Sequence, residues 1–236
     1  MRVAAAMFSI YYNKEGLGRG MDGKKILCGL TDIEKRYTAS VPVLGPLSLN
    51  VYEGEILGIR GSNGAGKSTL LGVMAGVLRP EAGSCRYAPE AAGRIGYVPQ
   101  EISLYGSLNG LQNLRFWGMS AGLAGKELSA RGRRLLEQME LTDKEKKAVS
   151  TYSGGMKRRL HLATALIAQP KLLLLDEPTV GADARSVSLI LTTLADVRRQ
   201  GCAVVLISHQ TGELEQVCDR ILTLEKGLVT AEERMT

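Results

Sequence analysis

Apolar and polar positions follow two periods along this chain, and the switches between them mark out its elements. Over residues 30–51 the pattern alternates and is rich in β-branched residues. It is interrupted at 39–42 and again at Gly45-Pro46, which predicts two or three antiparallel strands. Residues 55–60 are a short apolar run of the kind a buried strand presents. Residues 68–76 open with Ser and Thr, good chemistry for a helix N-terminus, and carry apolar residues onward. After a turn at 79–83, residues 84–88 and 94–100 read as strands. The character then changes. Over 107–140 β-branched residues are few, Leu is frequent, and Leu135, Leu136, Met139 and Leu141 recur near helical spacing, which predicts a helical insertion. Ser153 is a good N-cap for a helix whose stripe of Met156, Leu160, Ala163, Leu166 and Ile167 stops before Pro170. Residues 171–176 read as a fully buried parallel strand. Val187, Ile190, Leu191, Leu194 and Val197 line one face of a helix ended by Gly201, and 202–208 form another buried strand.

Composition narrows this to one large α/β domain with lobes, since 236 residues at 44% hydrophobic content can build a proper core. The excess of 30 Lys and Arg over 24 Asp and Glu suits nucleic acid or an anionic membrane face. The basic residues are dispersed, however, and the short clusters at 131–134, 144–147 and 157–159 read as solvated faces. Cys28, Cys85, Cys202 and Cys218 have no C-x-x-C spacing and lie far from His161 and His209, so they read as reduced cysteines and not as metal ligands. No segment approaches the about 18 apolar residues of a membrane span, so any transport path must come from another chain. Arg2 followed by residues 3–12 faintly resembles a signal peptide but lacks a clear cleavage site. Residues 1–25 are expected to be a loose extension, with Met21 as an alternative start. Residues 26–236 form the domain, with its helical part at about 101–169.

The chemistry concentrates at four places. Gly61, Ser62, Asn63, Gly64, Ala65, Gly66, Lys67 and Ser68 fit G-x-x-x-x-G-K-[ST] at every fixed position, between a predicted strand and a predicted helix. Glycines let successive N–H groups face inward as an anion site at a helix N-terminus. Lys67 would reach the β- and γ-phosphates of a nucleotide, Ser68 would hold Mg²⁺, and Thr69 at the helix start is a further cofactor-binding candidate. Ser153, Gly154, Gly155 and Met156 open a helix and offer a second anion-binding surface. Asp176 and Glu177 emerge at the carboxyl end of a buried strand, the edge where ligands of open α/β sheets bind. Asp176 suits Mg²⁺ and Glu177 suits polarising a water. His209 leaves the next strand at the same edge, placed to sense a γ-phosphate. Tyr37 either stacks on an adenine ring or simply packs, and His161 reads as a surface or packing residue of its helix. Tyr105, Phe116 and Trp117, in a chain with 5% aromatics, either dock a partner or fill the core of the insertion.

The order of these motifs, with Tyr97-Val98-Pro99-Gln100 and Gly181-Ala182-Asp183 between them, closely resembles the nucleotide-binding subunit of ATP-binding cassette transporters over roughly residues 30–230. The resemblance implies a P-loop NTPase fold: a mostly parallel central sheet, a small N-terminal antiparallel β-subdomain and an inserted α-helical subdomain. It also implies ATP and Mg²⁺ as ligands. Tyr37 becomes the adenine-stacking aromatic, and Gln100 the loop glutamine touching Mg²⁺ and the membrane partner. Ser153 to Met156 become the signature, Asp183 part of the loop crossing between subunits, and His209 the switch histidine. Met156 stands where the signature usually has Gln, and Ala182 where the family commonly has Leu. The wording around the signature, and Asn113 to Gly118 before it, resembles the exporter branch. In such a family two cassettes sandwich two ATP molecules, so a homodimer or related cassette and an integral membrane permease are the implied partners, at the cytoplasmic face of a membrane. No nucleic acid is expected. The competing reading is a cytosolic cassette acting on ribosomes or nucleic acid, for which the net charge of +6 is the motive.

Overall fold

The computed structural model describes residues 17–20, 23–38 and 42–235. The expected extension over 1–25, with the alternative start at Met21, therefore lies mostly outside the described residues.

Two sheets organise the chain. Strands β1 (Ile26–Arg36) and β2 (Pro42–Tyr52) pair antiparallel, and β4 (Ala82–Tyr87) joins the other side of β1. The third strand of this small sheet thus arrives from beyond the phosphate loop and not from within residues 30–51. The expected interruption at Gly45-Pro46 does not occur. β2 runs through it as the edge of the sheet, where the N–H that proline lacks is not needed for a ladder.

The larger sheet has the order β5–β6–β7–β3–β8–β9, built from β5 (Ile95–Val98), β6 (Leu172–Asp176), β7 (Ala203–Ile207), β3 (Ile56–Arg60), β8 (Arg220–Glu225) and β9 (Leu228–Arg234). All pairs are parallel except β8–β9. Successive strand residues point to opposite faces, so each run of aliphatics feeds two cores. Leu172 and Leu174 join Leu57, Ile59, Val205 and Ile207 on the face covered by helix α1 (Lys67–Met74) and the small sheet. Leu173 and Leu175 join Ile56, Val204 and Leu206 on the other face. That second core also takes in Leu111 and Leu114 of α2 (Gly110–Ser120) and Leu135 and Leu136 of α3 (Gly125–Gln138). Leu160 and Ala163 of α4 (Gly154–Leu166) and Ile190 and Leu194 of α5 (Ala184–Arg199) complete it. A last helix, α6 (Thr211–Val217), links β7 to β8.

Leu135, Leu136, Met139 and Leu141 are all buried, as their spacing predicts. The helix ends follow local chemistry. Asn109 caps α2 in a reciprocal box with Gln112, and the Ser153 hydroxyl accepts from the Met156 amide at 3.2 Å to start α4. Helix α1 departs from expectation, because its N-cap is Gly66 and no side chain caps it. Gly66 takes φ 100°, and an added Cβ would lie 2.6 Å from the Val43 carbonyl oxygen, so only glycine fits. Ser68 therefore sits inside the helix, where its hydroxyl serves the site.

Candidate active site

The phosphate-loop motif connects β3 to α1, and its tight turn directs the chain over the carboxyl ends of the parallel strands. Around it lies a cavity of about 520 Å³ lined by Val43, Asn63, Gly64, Gly66, Lys67, Ser68, Thr69, Gln100, Glu177 and His209. Residues from five separate stretches of sequence thus meet at one place, the sheet edge where open α/β folds bind ligands. The Lys67 ammonium donates to the carbonyls of Gly61 at 2.8 Å and Ser62 at 3.0 Å, which holds it against the loop. Burial lowers its pKa, while the negative charges of Glu177 and Asp176 oppose that. Tyr37 is 61% exposed, and its hydroxyl lies 3.3 Å from Thr69 Oγ1 beside the loop. It is not packed in a core, and one ring face has Lys35 Nζ 5.6 Å from the centroid.

Asp176 ends β6 and Glu177 follows it with φ 49°, a left-handed conformation that turns the second acid out of the strand direction. The Glu177 amide donates to the Ile207 carbonyl of the neighbouring strand at 3.0 Å. Its carboxylate is held at both oxygens, with Oε1 2.6 Å from His209 Nε2 and Oε2 accepting from Gln100 Nε2 at 3.1 Å. Asp176 is 3% exposed, and its Oδ1 has no hydrogen-bond partner. Burial raises its pKa, the Ser68 hydroxyl bonded to it opposes this, and the charge of Glu177 adds to the rise. A buried, unpartnered carboxylate oxygen beside a hydroxyl fits a divalent cation. Among the described residues no three His, Cys, Asp or Glu cluster as a self-sufficient metal site. Ser68, Asp176 and Gln100 would therefore hold Mg²⁺ together with phosphate oxygens, as this ion prefers.

Ser153, Gly154, Gly155 and Met156 do not line this cavity. Ser153 and Gly154 are exposed outside it. Gly155 is buried against the start of α5, where an added Cβ would lie 2.4 Å from Asp183 Oδ2 and 2.5 Å from Ser186 Oγ. Asp183 itself caps α5, accepting from the Ser186 amide at 2.9 Å. One chain therefore carries both anion surfaces without joining them.

Three residues near the site were not singled out from sequence. Glu213 of α6 is buried, and its Oε2 accepts from both Thr179 and Ser208 hydroxyls at 2.8 Å, tying the turn after Glu177 to the turn that bears His209. A lone glutamate in a short helix gives no pattern to read. Val43 reaches the cavity from β2. Arg158, expected on a solvated face with Lys157 and Arg159, is half-buried and bonded to main-chain carbonyls, and Arg159 is buried. His161 is likewise buried, at 3% exposure, and burial lowers its pKa to about 4. The aromatics divide between the two expectations. Trp117 packs against the second core, whereas Phe116 and Tyr105 are exposed, their rings 4.6 Å apart. The four cysteines are buried and free.

Residues 44–180 match the ABC transporter family. The chain is 38% identical over 208 residues to the linearmycin resistance ATP-binding protein of Bacillus subtilis, covering 85% of this chain and 67% of that protein. It is 38% identical over 208 residues to a Nod factor export ATP-binding protein of Burkholderia thailandensis, covering 85% and 68%. It superposes on a dimeric ATP-binding cassette in a post-hydrolysis state bound to ADP and Pi with a TM-score of 0.81 at 26% identity, over 89% of this chain and 99% of that one. The chain spans 63–68% of the length of such curated relatives. With its motifs, its two sheets and the cavity at their junction all of that pattern, this chain belongs to the ABC transporter family, as one of its ATP-binding cassettes.

Proposed function

We propose that this chain is the ATP-binding and ATP-hydrolysing subunit of a membrane exporter, working as a pair of cassettes on the cytoplasmic face beside an integral membrane permease. The observation that carries it is the cavity joining Lys67, Ser68, Gln100, Glu177 and His209, with Ser153 and Gly154 exposed elsewhere on the same chain. Lys67 and the loop amides bind the phosphates of ATP, and Tyr37 offers its ring to the base. The Glu177 carboxylate takes the proton of the water that attacks the γ-phosphate, and His209 and Gln100 fix its orientation. Ser68, Asp176 and Gln100 would hold Mg²⁺, which would supply charge neutralisation for the phosphates. Ser153, Gly154, Gly155 and Met156 complete the site of a second copy, a reading supported by the dimeric state of the cassette to which the chain is similar. Export is favoured by the relative named for Nod factor export and by the wording of the signature.

Among the described residues no helix is long and apolar enough to cross a membrane, and the proposed reading puts the path in a partner. A cavity of about 470 Å³ between β5 and the helical part supports a docking place for it. Trp117 and His161 line it, and Trp117 Nε1 and His161 Nδ1 are buried polar atoms without partners. Such atoms match carbonyl or hydroxyl groups of an inserted segment. The test is gentle detergent extraction followed by identification of what co-purifies. A polytopic membrane protein is expected, and ribosomal components instead would overturn the reading. Replacing the exposed Tyr105 and Phe116 together by Ser should move the chain from membrane to supernatant while isolated ATP hydrolysis persists. Unchanged membrane association would place docking elsewhere.

A further inference from the structure

Two adjacent arginines follow the signature on α4, and they do different things. Arg159 donates to the carbonyls of Met139 and Glu140, inside the helical part. Arg158 reaches out of that part to two main-chain acceptors in the loops of the site: Nη1 donates to Gln100 O at 2.6 Å, and Nε donates to Val180 O at 3.0 Å. Each acceptor stands one step from Glu177. The Gln100 side chain donates to Glu177 Oε2 at 3.1 Å, and the Val180 amide donates to the Glu177 carbonyl at 3.3 Å.

Burial lowers the Arg158 pKa, with the charge of Glu177 opposing it, and no carboxylate lies within 4 Å to form an ion pair with it among the described residues. A partly desolvated cation spent on two carbonyls, with no carboxylate to pair it, points to a link that itself matters. The link also demands a guanidinium, because a lysine is a point donor that cannot span two acceptors in a fixed fork.

We propose that Arg158 is a positioning residue that ties the N-terminus of α4 to Gln100 and Glu177 of the same chain, so that engagement of Ser153 to Met156 by a second copy sets the hydrolytic groups. This rests on the functional reading above. Movement of α4 carries the Arg158 fork with it. The fork displaces the main chain on both sides of the Glu177 carboxylate, and sub-ångström misplacement of such a group is enough to change a rate by an order of magnitude or more.

The test is steady-state ATP hydrolysis by the full chain and by Arg158→Gln and Arg158→Lys, with ATP affinity and binding stoichiometry measured by calorimetry in each. In Arg158→Gln, kcat should fall about tenfold and the Hill coefficient for ATP should drop toward one, while affinity and stoichiometry stay within about twofold. Arg158→Lys, which keeps the charge and at most one bond, should fall between. A merely structural role would instead lower the number of binding sites together with the rate. That result, or unchanged kcat and cooperativity against an active wild type, would overturn the assignment while leaving the functional reading standing. A wild type that binds ATP and does not hydrolyse it would sink the functional reading and this inference with it.

Discussion

At the scale of single residues, burial decides which ionisable groups are poised to matter. The His161 imidazole is held to a pKa of about 4 against an ordinary 6.5, chiefly by burial and secondarily by the charge of Arg158. Because the folded value is depressed, the unfolded chain binds the proton more readily between these values. The stability due to neutral His161 is complete above about pH 6.5 and is lost as pH falls toward 4. Between about pH 7.5 and 5 the loss is about 2 kcal/mol, so urea unfolding of the wild type should weaken by that amount relative to His161→Gln, which cannot titrate. Equal pH dependence in the two proteins would remove His161 as the cause. Lys67 is the contrasting case, because its ammonium is held in the cavity by carbonyls of its own loop. Lys67→Ala should cost at least about tenfold in ATP affinity by calorimetry with little change in thermal stability, since a charge-assisted contact to phosphate is lost and the vacated space opens to the cavity.

At the scale of elements, helix starts are where sequence and geometry meet most closely. Gly155 lies in the first turn of α4 and faces the cap of α5. In Gly155→Ala the new Cβ would press on Asp183 Oδ2 and Ser186 Oγ, and the Asp183 side chain would have to leave the Ser186 amide. The expected cost is about 1–2 kcal/mol in chemical denaturation, the value of a lost N-cap. An unchanged midpoint would mean that the cap survives. The phosphate loop, Asp176 with Glu177, and His209 sit at strand ends and helix starts, where a local period or a fixed spacing announces them. Leu172 to Leu175 declare a strand buried on both faces for the same reason. Glu213, Arg158 and the pairing of β4 with β1 depend on contacts between segments far apart in sequence, and no local pattern encodes them. The N-cap of α1 differs from the expected one because Ser and Thr ordinarily start helices, whereas here close approach of Val43 imposes Gly66 and releases Ser68 toward Asp176.

At the scale of the whole molecule, the phosphate loop and Ser153 to Met156 lie apart on one chain, and in the proposed pair of cassettes each is half a site. On that proposal closure takes a second cassette, and the Glu177 substitution isolates that step from the chemistry. Glu177→Gln keeps the side-chain volume and an acceptor for His209 and removes the carboxylate proposed to take the proton of the attacking water. Binding relies on Lys67 and the loop amides, which the substitution does not touch, so ATP still bridges two chains but is not consumed. The 25.4 kDa chain should therefore run as a monomer without nucleotide and at twice that mass with ATP and Mg²⁺ in size-exclusion chromatography with light scattering. Turnover should fall by two or more orders of magnitude, on the order of the loss from removing a general base. Adding Lys67→Ala should abolish the shift in mass by removing the bound phosphates that bridge the two halves. A Glu177→Gln protein that binds ATP tightly yet stays monomeric would show that Ser153 and Gly154 do not complete a neighbour's site. Persistent hydrolysis would remove Glu177 from its role.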